Sequence, residues 1–535
     1  MFLTAFANLF GMGGSSLISR CLGSGDKEKA RHTAAFCIWT GIVVSLVYGI
    51  AIMLLEPVLF PILGAKTETW EYLKKYVFWT IGIGAVPTVM NAEFAHLIRS
   101  EGYSKSAGFG VALGGILNIA LDPIFIFGLI TAEMLMQCHK ELDGSKAVGI
   151  DRVTKAEYEE HLEENITNLV ERLTNKAYKP LPSLRVYIPK SNGKMRPLGI
   201  ASYEDKIVQL AVKKILEAIY EPRFLNCMYG FRPNRGCHDA IKEVHHRIQN
   251  DWISYVVDAD IKGFFDHMSH EWLMKFLKLY IKDTNLLWLI NKYLKAGVIT
   301  DGVYEESEEG SAQGNIISPI LANIYMHNVL TLWYKFVVLK ETEGKSFLTV
   351  YADDFIAGFQ YKADAEKYYA MLKDRMRKFN LELEESKSRL IEFGRFAEGN
   401  CKRRGGRKPE TFDYLGFTFY CGKGSRSGKF CVKLKTRRKK YMQKLTAMKV
   451  WLYANNDLPV KELIDRLNKK LIGHYRYYGV SFNGKKLSSF LHYTQRYLCK
   501  ALNRRSQKKS YTWDGFADML KVYPLAKPKI YVRLF

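Results

Sequence analysis

The hydrophobic residues of the first 135 positions form long, nearly uncharged runs. Residues 33–55 are 23 consecutive residues without a charge, enough for one helix to cross a bilayer. Residues 76–98 carry one acid, Glu93, and residues 106–132 carry one acid, Asp122. These runs predict transmembrane helices. Core helices of a soluble protein are the alternative, which three long runs in succession disfavour.

The pattern changes between residues 124 and 146, where IFIFGLITAEMLMQCHKELDGSK passes from Ile, Phe and Gly to Lys, Glu and Asp. Residues 253–267 then read ISYVVDADIKGFFDH, a β-branched and aromatic strand that ends in acids and glycine. Residues 347–359 read FLTVYADDFIAGF, which predicts a strand, a tight turn and a second strand. Nearer the C-terminus, an apolar stripe at helical spacing predicts an amphipathic helix; its residues are Val460, Leu463, Ile464, Leu467 and Leu471.

Charge separates the chain into three parts. Of 535 residues, 1–136 hold nine Lys and Arg and nine Asp and Glu, whereas 421–535 hold 28 and five. Nearly all of the net charge of +25 therefore lies in the last fifth of the chain. Such a basic segment, interleaved with aromatic residues, indicates a polyanionic partner such as nucleic acid; a solvated, lysine-rich surface is the alternative. No two of the nine cysteines have the CxxC spacing of a zinc half-site, which favours a reduced, cytosolic protein.

The N-terminal third contains two stretches that resemble one transporter family. GGSSLISRCLGSGDKEKAR (13–31) and LIRSEGYSKSAGFGVALGGILNIALDPIFIFGL (97–129) resemble multidrug and toxic compound extrusion (MATE) antiporters. The resemblance implies helices two to five of twelve. Because alternating access needs one repeat to move against another, we expect no transport from this fragment.

Two predicted strand ends carry carboxylates: Asp260 follows one strand, and Asp353 and Asp354 occupy the turn between two others. A two-metal phosphoryl-transfer site needs hard oxygen ligands of this kind, delivered to one point by buried strands. An Asp pair in a turn is weak evidence alone, because many turns contain Asp, and it gains weight from the second element.

At YADD the sequence resembles reverse transcriptases, specifically those encoded by group II introns. The other matching motifs follow in the family's order: LRVYIPKSNGKMRPLGIASYEDKIVQ (184–209), YGFRPNRGCHDAI (229–241), DIKGFFD, GSAQGNIISPILANIY (310–325) and FDYLGFTF (412–419). The predicted fold is multi-domain. An all-α transmembrane antiporter fragment (1–134) precedes an α+β right-hand polymerase with fingers and palm (138–420) and an α-helical thumb or maturase domain (421–535).

The resemblance implies a role for each matching residue. Asp260, Asp353 and Asp354 correspond to catalytic carboxylates that bind two Mg²⁺ ions, with Mn²⁺ as a possible substitute. Lys387 corresponds to a lysine near the pyrophosphate, a candidate general acid. Phe265 corresponds to the gate against a ribose 2′-hydroxyl. The remaining substrate-binding residues are Arg185, Lys190 and Arg196 for the triphosphate, and Gln313 and Gly314 in a loop that approaches the nucleotide. Ala312 stands where the family has Pro, which predicts a looser loop with activity retained.

The implied function is that of an RNA-directed DNA polymerase and splicing maturase of a group II intron. Its partners would be the intron RNA, an RNA template with a DNA primer, and deoxynucleoside triphosphates. The chain reaches Phe535 without a Cys/His nuclease module, so no endonuclease domain is expected. A cytoplasmic ribonucleoprotein is predicted, with multi-pass membrane insertion only if the first fragment is translated and inserted. The alternatives are a retron-like or CRISPR-associated defence reverse transcriptase, a transporter gene with a decayed insertion, and an RNA-binding maturase without polymerase activity.

Overall fold

The structure, a computed structural model, describes residues 2–62, 70–101, 130–189, 195–424, 427–505 and 511–534. The chain divides into two compact units, which meet in the sequence at residues 125 and 126. Lys190, most of the hydrophobic run 106–132 with Asp122, and most of the stretch 97–129 fall outside the described residues.

The first unit is helical throughout its described part. Its helices are Phe2–Gly23, Lys27–Ile62, Trp70–Val77 and Ala85–Ser100, with a π-helical segment at Phe78–Ile83. A Cβ at Gly14 would lie 2.3 Å from Sγ of Cys37, so the first two helices approach closely where Gly14 has no side chain. Lys27–Phe60 and Phe78–Ser100 are long and apolar enough to cross a membrane, by length and composition. Two of the predicted spans thus have matching helices.

The second unit begins earlier than the charge pattern indicates. Thr131 caps helix Ala132–Glu141 by accepting a hydrogen bond from the backbone N–H of Met134. Leu135 and Cys138 on this helix are fully buried in the same core as helix Tyr203–Tyr220. The hydrophobic residues near the seam therefore belong to the core of the second unit, and the expected start near residue 138 falls inside a helix.

The described strands of the second unit form three sheets. Its strands are β1 (Ser183–Pro189), β2 (Met195–Ile200), β3 (Tyr255–Asp260), β4 (Val298–Thr300), β5 (Val303–Glu305), β6 (Ser346–Tyr351), β7 (Asp354–Phe359), β8 (Arg389–Glu392), β9 (Phe412–Tyr414), β10 (Phe417–Lys423) and β11 (Phe430–Thr436). The first sheet has the order β2-β1-β4-β5, the central sheet β6-β7-β3-β8, and the third β11-β10-β9. The predicted hairpin of residues 347–359 is confirmed as β6 and β7.

Helices cover the sheets and form the C-terminal region. They are Ala132–Glu141, Lys155–Glu160, Leu162–Thr174, Tyr203–Tyr220, Cys237–Asn250, His270–Lys278, Thr284–Leu294, Ser318–Met326, Leu339–Glu341, Lys362–Lys378, Ala397–Arg403, Arg438–Ala454, Val460–Tyr478, Gly484–Leu502 and Trp513–Val522, with π-helical segments at His327–Thr331 and Tyr334–Val338.

Side-chain alternation along β3 places its residues in two different cores. Val257 and Ala259 belong to the core that includes Tyr368 of helix Lys362–Lys378. Val256 belongs to a second core, which includes Ala240 of helix Cys237–Asn250 and the apolar residues of the third sheet and the C-terminal helices. Since side chains of a strand alternate between faces, the acids at even-numbered positions of β3 share the face of Val256.

The predicted amphipathic helix is confirmed as Val460–Tyr478, with Leu463, Ile464, Leu467 and Leu471 buried. These residues pack in the core that also contains β10 and β11. The expected domain boundary at residues 420 and 421 lies inside β10. Charge composition changes there, but the sheet continues to Thr436, so the fold and the charge pattern divide at different positions.

Candidate active site

The register of the central sheet brings the predicted carboxylates together. Asp260, the last residue of β3, pairs directly with Asp354, the first residue of β7. Asp354 also pairs with Tyr351 of β6, so Ala352 and Asp353 form a two-residue turn. Ala352 has φ of 58°, in the left-handed region that two-residue hairpin turns require and that a residue with a Cβ adopts at a cost.

The segment around Gly230 supports this turn from behind. Tyr229 N–H donates to the Val350 carbonyl at 2.8 Å, and Val350 N–H donates to the Cys227 carbonyl at 2.8 Å. A Cβ at Gly230 would lie 2.4 Å from the backbone nitrogen of Ala352. Only glycine therefore allows this approach, which explains a glycine in the predicted motif YGFRPN.

Lys387 lies beside Asp260. Glu384 N–H donates to the Asp260 carbonyl at 2.7 Å, and Asp260 N–H donates to Ser388 Oγ at 3.2 Å. These bonds hold the segment before β8 against the end of β3, and Lys387 Nζ forms an ion pair with the Asp260 carboxylate. The Lys387 side chain is 61% exposed, so a moderate rotation can release it into solvent.

Burial and neighbouring carboxylates raise the pKa values of Asp354 and Asp353. Burial, followed by repulsion from Asp258, Asp353 and Asp260, raises the pKa of Asp354 to about 8. Burial and the charge of Asp260 raise the pKa of Asp353, against the opposing charges of Arg196 and Lys387. A concentration of acids that resists full ionisation is an environment that a bound cation would stabilise.

The donor set suits a hard cation. Carboxylate oxygens are the ligands that Mg²⁺ and Mn²⁺ prefer, and Asp260, Asp353 and Asp354 offer no softer donor. In the described part of the chain, no three His, Cys, Asp or Glu side chains already converge as a metal centre. The ion pair with Lys387 explains part of this, because it occupies one Asp260 oxygen. The residues fit the ions by chemistry, and their side chains must rearrange to hold them.

Two adjoining cavities lead away from the carboxylates. The first, of about 460 Å³, is lined by charged side chains of both signs: Asp258, Asp260, Asp354, Asp413, Lys387, Arg389, Arg437 and Lys440. The second, of about 680 Å³, lies among the C-terminal helices, and its lining includes Lys444, Lys470, Trp451, His474 and Tyr477. Leu415, Gly416 and Lys440 line both, so the two form one basic and aromatic path from the carboxylates.

The predicted nucleotide-binding residues lie on the first sheet and on the loop beside it. Arg196 Nε donates to Gln313 Oε1 at 2.6 Å, and Gly199 N–H donates to the Gln313 carbonyl at 2.6 Å. Gly314 has φ of 114°, and a Cβ there would lie 2.5 Å from the Gly199 carbonyl oxygen. The loop thus packs directly on β2. Arg185 forms an ion pair with Glu305 at 2.7 Å.

Phe265 connects this loop to β3. Its side chain is 7% exposed, and its carbonyl accepts a hydrogen bond from Ser311 N–H at 2.8 Å. The predicted gate and the predicted nucleotide loop are therefore joined through the backbone.

Sequence reasoning missed the ion pair of Arg437 and Asp413, whose Nε and Oδ2 atoms lie 2.8 Å apart. The pair joins the start of helix Arg438–Ala454 to β9, and both of its residues line the first cavity together with Asp258. Asp413 lies within the recognised motif FDYLGFTF, but pairing it with Arg437 required the order of the third sheet.

Comparison with known families agrees with both resemblances. Residues 188–419 match the family described as reverse transcriptase (RNA-dependent DNA polymerase), and residues 1–124 match the MatE family.

Individual relatives match parts of the chain. Group II intron-encoded protein LtrA of Lactococcus lactis subsp. cremoris is 44% identical over 179 residues, which cover 32% of this chain and 30% of LtrA. Protein YkfC of Escherichia coli K12 is 39% identical over 187 residues, covering 34% of this chain and 49% of YkfC. The multidrug export protein MepA of Staphylococcus haemolyticus is 33% identical over 128 residues, covering 24% of this chain and 28% of MepA. The chain thus spans half or less of each of these relatives.

Among solved structures, telomerase from Candida albicans in complex with a fragment of telomeric RNA aligns over 69% of this chain and 65% of its own. The TM-score is 0.37 and the identity 12%, too low to bear on function.

Proposed function

Because residues 188–419 match the reverse transcriptase family, we propose that the chain is an RNA-directed DNA polymerase and splicing maturase of a group II intron. It would extend a DNA primer on an RNA template by adding deoxynucleotides. The observation that carries the proposal is the pairing of Asp260 with Asp354 across β3 and β7, with Asp353 in the adjoining turn.

Asp260, Asp353 and Asp354 would hold two Mg²⁺ ions, for which Mn²⁺ can substitute. When bound, the ions would lower the pKa of the attacking 3′-hydroxyl and neutralise the leaving pyrophosphate. For this, Lys387 must leave the Asp260 carboxylate with which it is paired. Its released ammonium group then faces the site of pyrophosphate departure and serves as a general acid that donates a proton to it.

The incoming nucleotide would be held by Arg185, Lys190 and Arg196. Arginine suits this role because its planar guanidinium donates two parallel hydrogen bonds to phosphate oxygens. Arg196 must exchange Gln313 for phosphate, which would couple nucleotide binding to the loop that carries Gly314. Phe265 would select deoxyribose by occupying the space of a 2′-hydroxyl.

The basic and aromatic path would bind the template and primer. Template and primer would leave the carboxylates past Lys440 and pass Lys444 and Lys470 among the C-terminal helices, which act as the thumb. Residues 421–535 hold 28 Lys and Arg and five Asp and Glu, an excess that suits binding of the intron RNA during splicing. The working form is then a cytoplasmic ribonucleoprotein, in which the MatE segment performs no transport.

The test is primer extension by the full-length chain, purified in detergent, on an RNA template with Mg²⁺. Asp353→Ala should abolish extension, whereas Asp374→Ala, a matched control whose side chain is 83% exposed, should leave it unchanged. Equal extension by Asp353→Ala would overturn the site assignment. If the parent protein accelerates intron splicing but does not extend primers, the maturase part of the proposal stands and the polymerase part is wrong.

A further inference from the structure

Three aromatic side chains are exposed around one cavity at the end of the central sheet opposite the carboxylates. Trp252, Tyr361 and Phe396 have exposed fractions of 47%, 48% and 48%. They line a cavity of about 400 Å³ beside the start of β3. At about 3.3 Å per residue, the start of β3 lies roughly 17 Å from its last residue, Asp260. The cavity is therefore separate from the active site.

Trp252 is held toward solvent by an unusual backbone. Its φ of 60° lies in the left-handed region, which is uncommon for a bulky residue and favours Gly or Asn. The Arg395 guanidinium lies 4.1 Å from the Trp252 ring centroid, and the Phe396 ring lies 6.1 Å away at an interplanar angle of 33°. Arg395 Nε is buried without a hydrogen-bond partner in the described part of the chain. A hydrophobic core would place such a tryptophan inside, whereas here its ring remains accessible.

The surroundings of the cavity are cationic and polar. Lys362, Arg403 and Asn400 complete much of its lining. Arg403 forms no ion pair with any residue that the structure describes, and its guanidinium donates to the Asn400 amide oxygen at 2.8 Å. Residues 395–410 contain six Lys and Arg and two Glu, so positive charge continues beyond the cavity.

We propose that this aromatic surface, formed by Trp252, Tyr361, Phe396 and Arg403, binds unpaired nucleotides of single-stranded RNA. Exposed rings stack on bases of any sequence, and nearby cations bind the phosphates between them. The surface combines exposed rings with the cations Arg395 and Arg403, and a single-stranded nucleic acid offers bases to the rings and phosphates to the cations. The inference relies on the proposed function for RNA as the nucleic acid, and it adds a contact outside the polymerase path.

The test measures binding of a fluorescent ten-nucleotide single-stranded RNA to the full-length protein in detergent, by anisotropy. A primer–template duplex is first added in excess, so that the polymerase path is already filled. Trp252→Asn, which keeps a residue that tolerates the left-handed backbone, and Phe396→Ala should each weaken binding about five- to 100-fold. Arg403→Ala should lower the slope of log affinity against log salt by about 0.7, the value for one phosphate contact on a single strand.

Tyr280→Ala is the matched control, because Tyr280 is 44% exposed and has the Arg223 guanidinium 4.6 Å from its ring but lies outside the cavity lining. It should bind RNA as the parent does. Primer extension on a short template should be unchanged in every variant, which separates this inference from the proposed function. Unchanged RNA affinity in the Trp252, Phe396 and Arg403 variants would overturn the inference and indicate a protein partner for the surface.

Photocrosslinking gives a second measurement that does not depend on variant folding. RNA with 5-iodouridine should crosslink to Trp252, Tyr361 or Phe396 in the duplex-filled parent protein. Crosslinks confined to other parts of the chain would also overturn the inference.

Discussion

Lys387 Nζ forms an ion pair with the Asp260 carboxylate, so the proposed general acid is paired with a proposed metal ligand. The pair holds a cation where the proposed function requires a metal ion. In the proposed function, loading the ion and positioning the acid would be one event, because each requires Lys387 to leave Asp260.

Lys387→Ala should bind divalent ions more tightly in the absence of nucleotide and yet polymerise more slowly. A partly exposed ion pair contributes up to about 1 kcal/mol, so the Kd for Mn²⁺ should fall by up to about fivefold. Loss of the general acid should lower kcat about 100-fold or more. Electron paramagnetic resonance of free Mn²⁺ gives the Kd, and single-turnover primer extension gives the rate.

Lys275→Ala provides the control for this experiment, since Lys275 is 53% exposed and pairs with Glu271 on a helix outside the site. It should change neither quantity. Weaker Mn²⁺ binding by Lys387→Ala would contradict the competition between lysine and metal.

Gln313→Glu should weaken nucleotide binding because it strengthens the contact between residue 313 and Arg196. The Arg196 guanidinium now donates to a neutral amide oxygen, and a carboxylate in its place would make a charge-assisted pair. The triphosphate must then compete with that carboxylate for Arg196, so KM for deoxynucleotides should rise about tenfold with a smaller change in kcat. Steady-state primer extension measures both, and an unchanged KM would show that Arg196 does not bind the nucleotide.

Phe265→Ala should increase ribonucleotide incorporation relative to deoxyribonucleotide incorporation. Phe265 is buried beside the loop of residues 310–314, so its truncation opens space next to the proposed sugar position. The ratio of kcat/KM for the two nucleotides should shift by tenfold or more toward ribose. Phe264→Leu changes the neighbouring ring, for which no nucleotide contact is proposed, and it should leave the ratio near that of the parent.

Gly230→Ala should disorder the turn that carries Asp353. The new Cβ would lie 2.4 Å from the Ala352 nitrogen, and because that atom belongs to the backbone, the turn itself must move. We expect a loss of about 1–3 kcal/mol in the free energy of unfolding and a larger proportional loss of activity. Denaturant unfolding and primer extension measure the two.

Gly399→Ala is the matched control, because a Cβ there meets nothing within 4 Å. Since Gly399 lies within helix Ala397–Arg403, alanine should stabilise the chain slightly and leave extension unchanged. Equal activity of the Gly230 and Gly399 variants would show that the turn tolerates displacement.

The sequence predicted the elements that carry local signals and missed relationships that depend on the order of strands. The hairpin around Asp353 and the stripe from Leu463 to Leu471 follow from alternation and helical spacing, and both are present. Lys387 and Asp260 are 127 positions apart in the chain. Periodicity could not predict their contact, which only the resemblance to reverse transcriptase motifs could indicate.

The predicted boundaries relied on changes in composition, and residues 138 and 421 both lie inside elements of the structure. Met134 falls within the predicted antiporter fragment (1–134), yet it packs against the core of the second unit. Cys421 begins the basic segment but lies in the middle of β10. Hydrophobicity and charge indicate whether a residue is buried or exposed. Burial changes within a single helix or strand as well as between domains, so composition alone does not locate a domain boundary.

Asp205 should make the second unit less stable as pH rises through the weakly acidic range. Burial raises the pKa of Asp205 to about 6, although hydrogen bonds from Ser202, Tyr178 and the Leu181 backbone oppose the shift. The folded state therefore holds this proton more tightly than the unfolded state, whose carboxyl has its ordinary pKa of about 3.8. The stabilisation is fully present below about pH 4 and is lost as pH rises to about 6, a change of about 3 kcal/mol at 1.36 kcal/mol for each pKa unit.

Asp205→Asn removes the titrating group, so the difference in unfolding free energy between parent and variant, measured by denaturant unfolding, should change by this amount between pH 4 and pH 7. The exposed Asp374→Asn should follow the parent across the same range, and a pH-independent difference for Asp205→Asn would show that Asp205 titrates alike in both states.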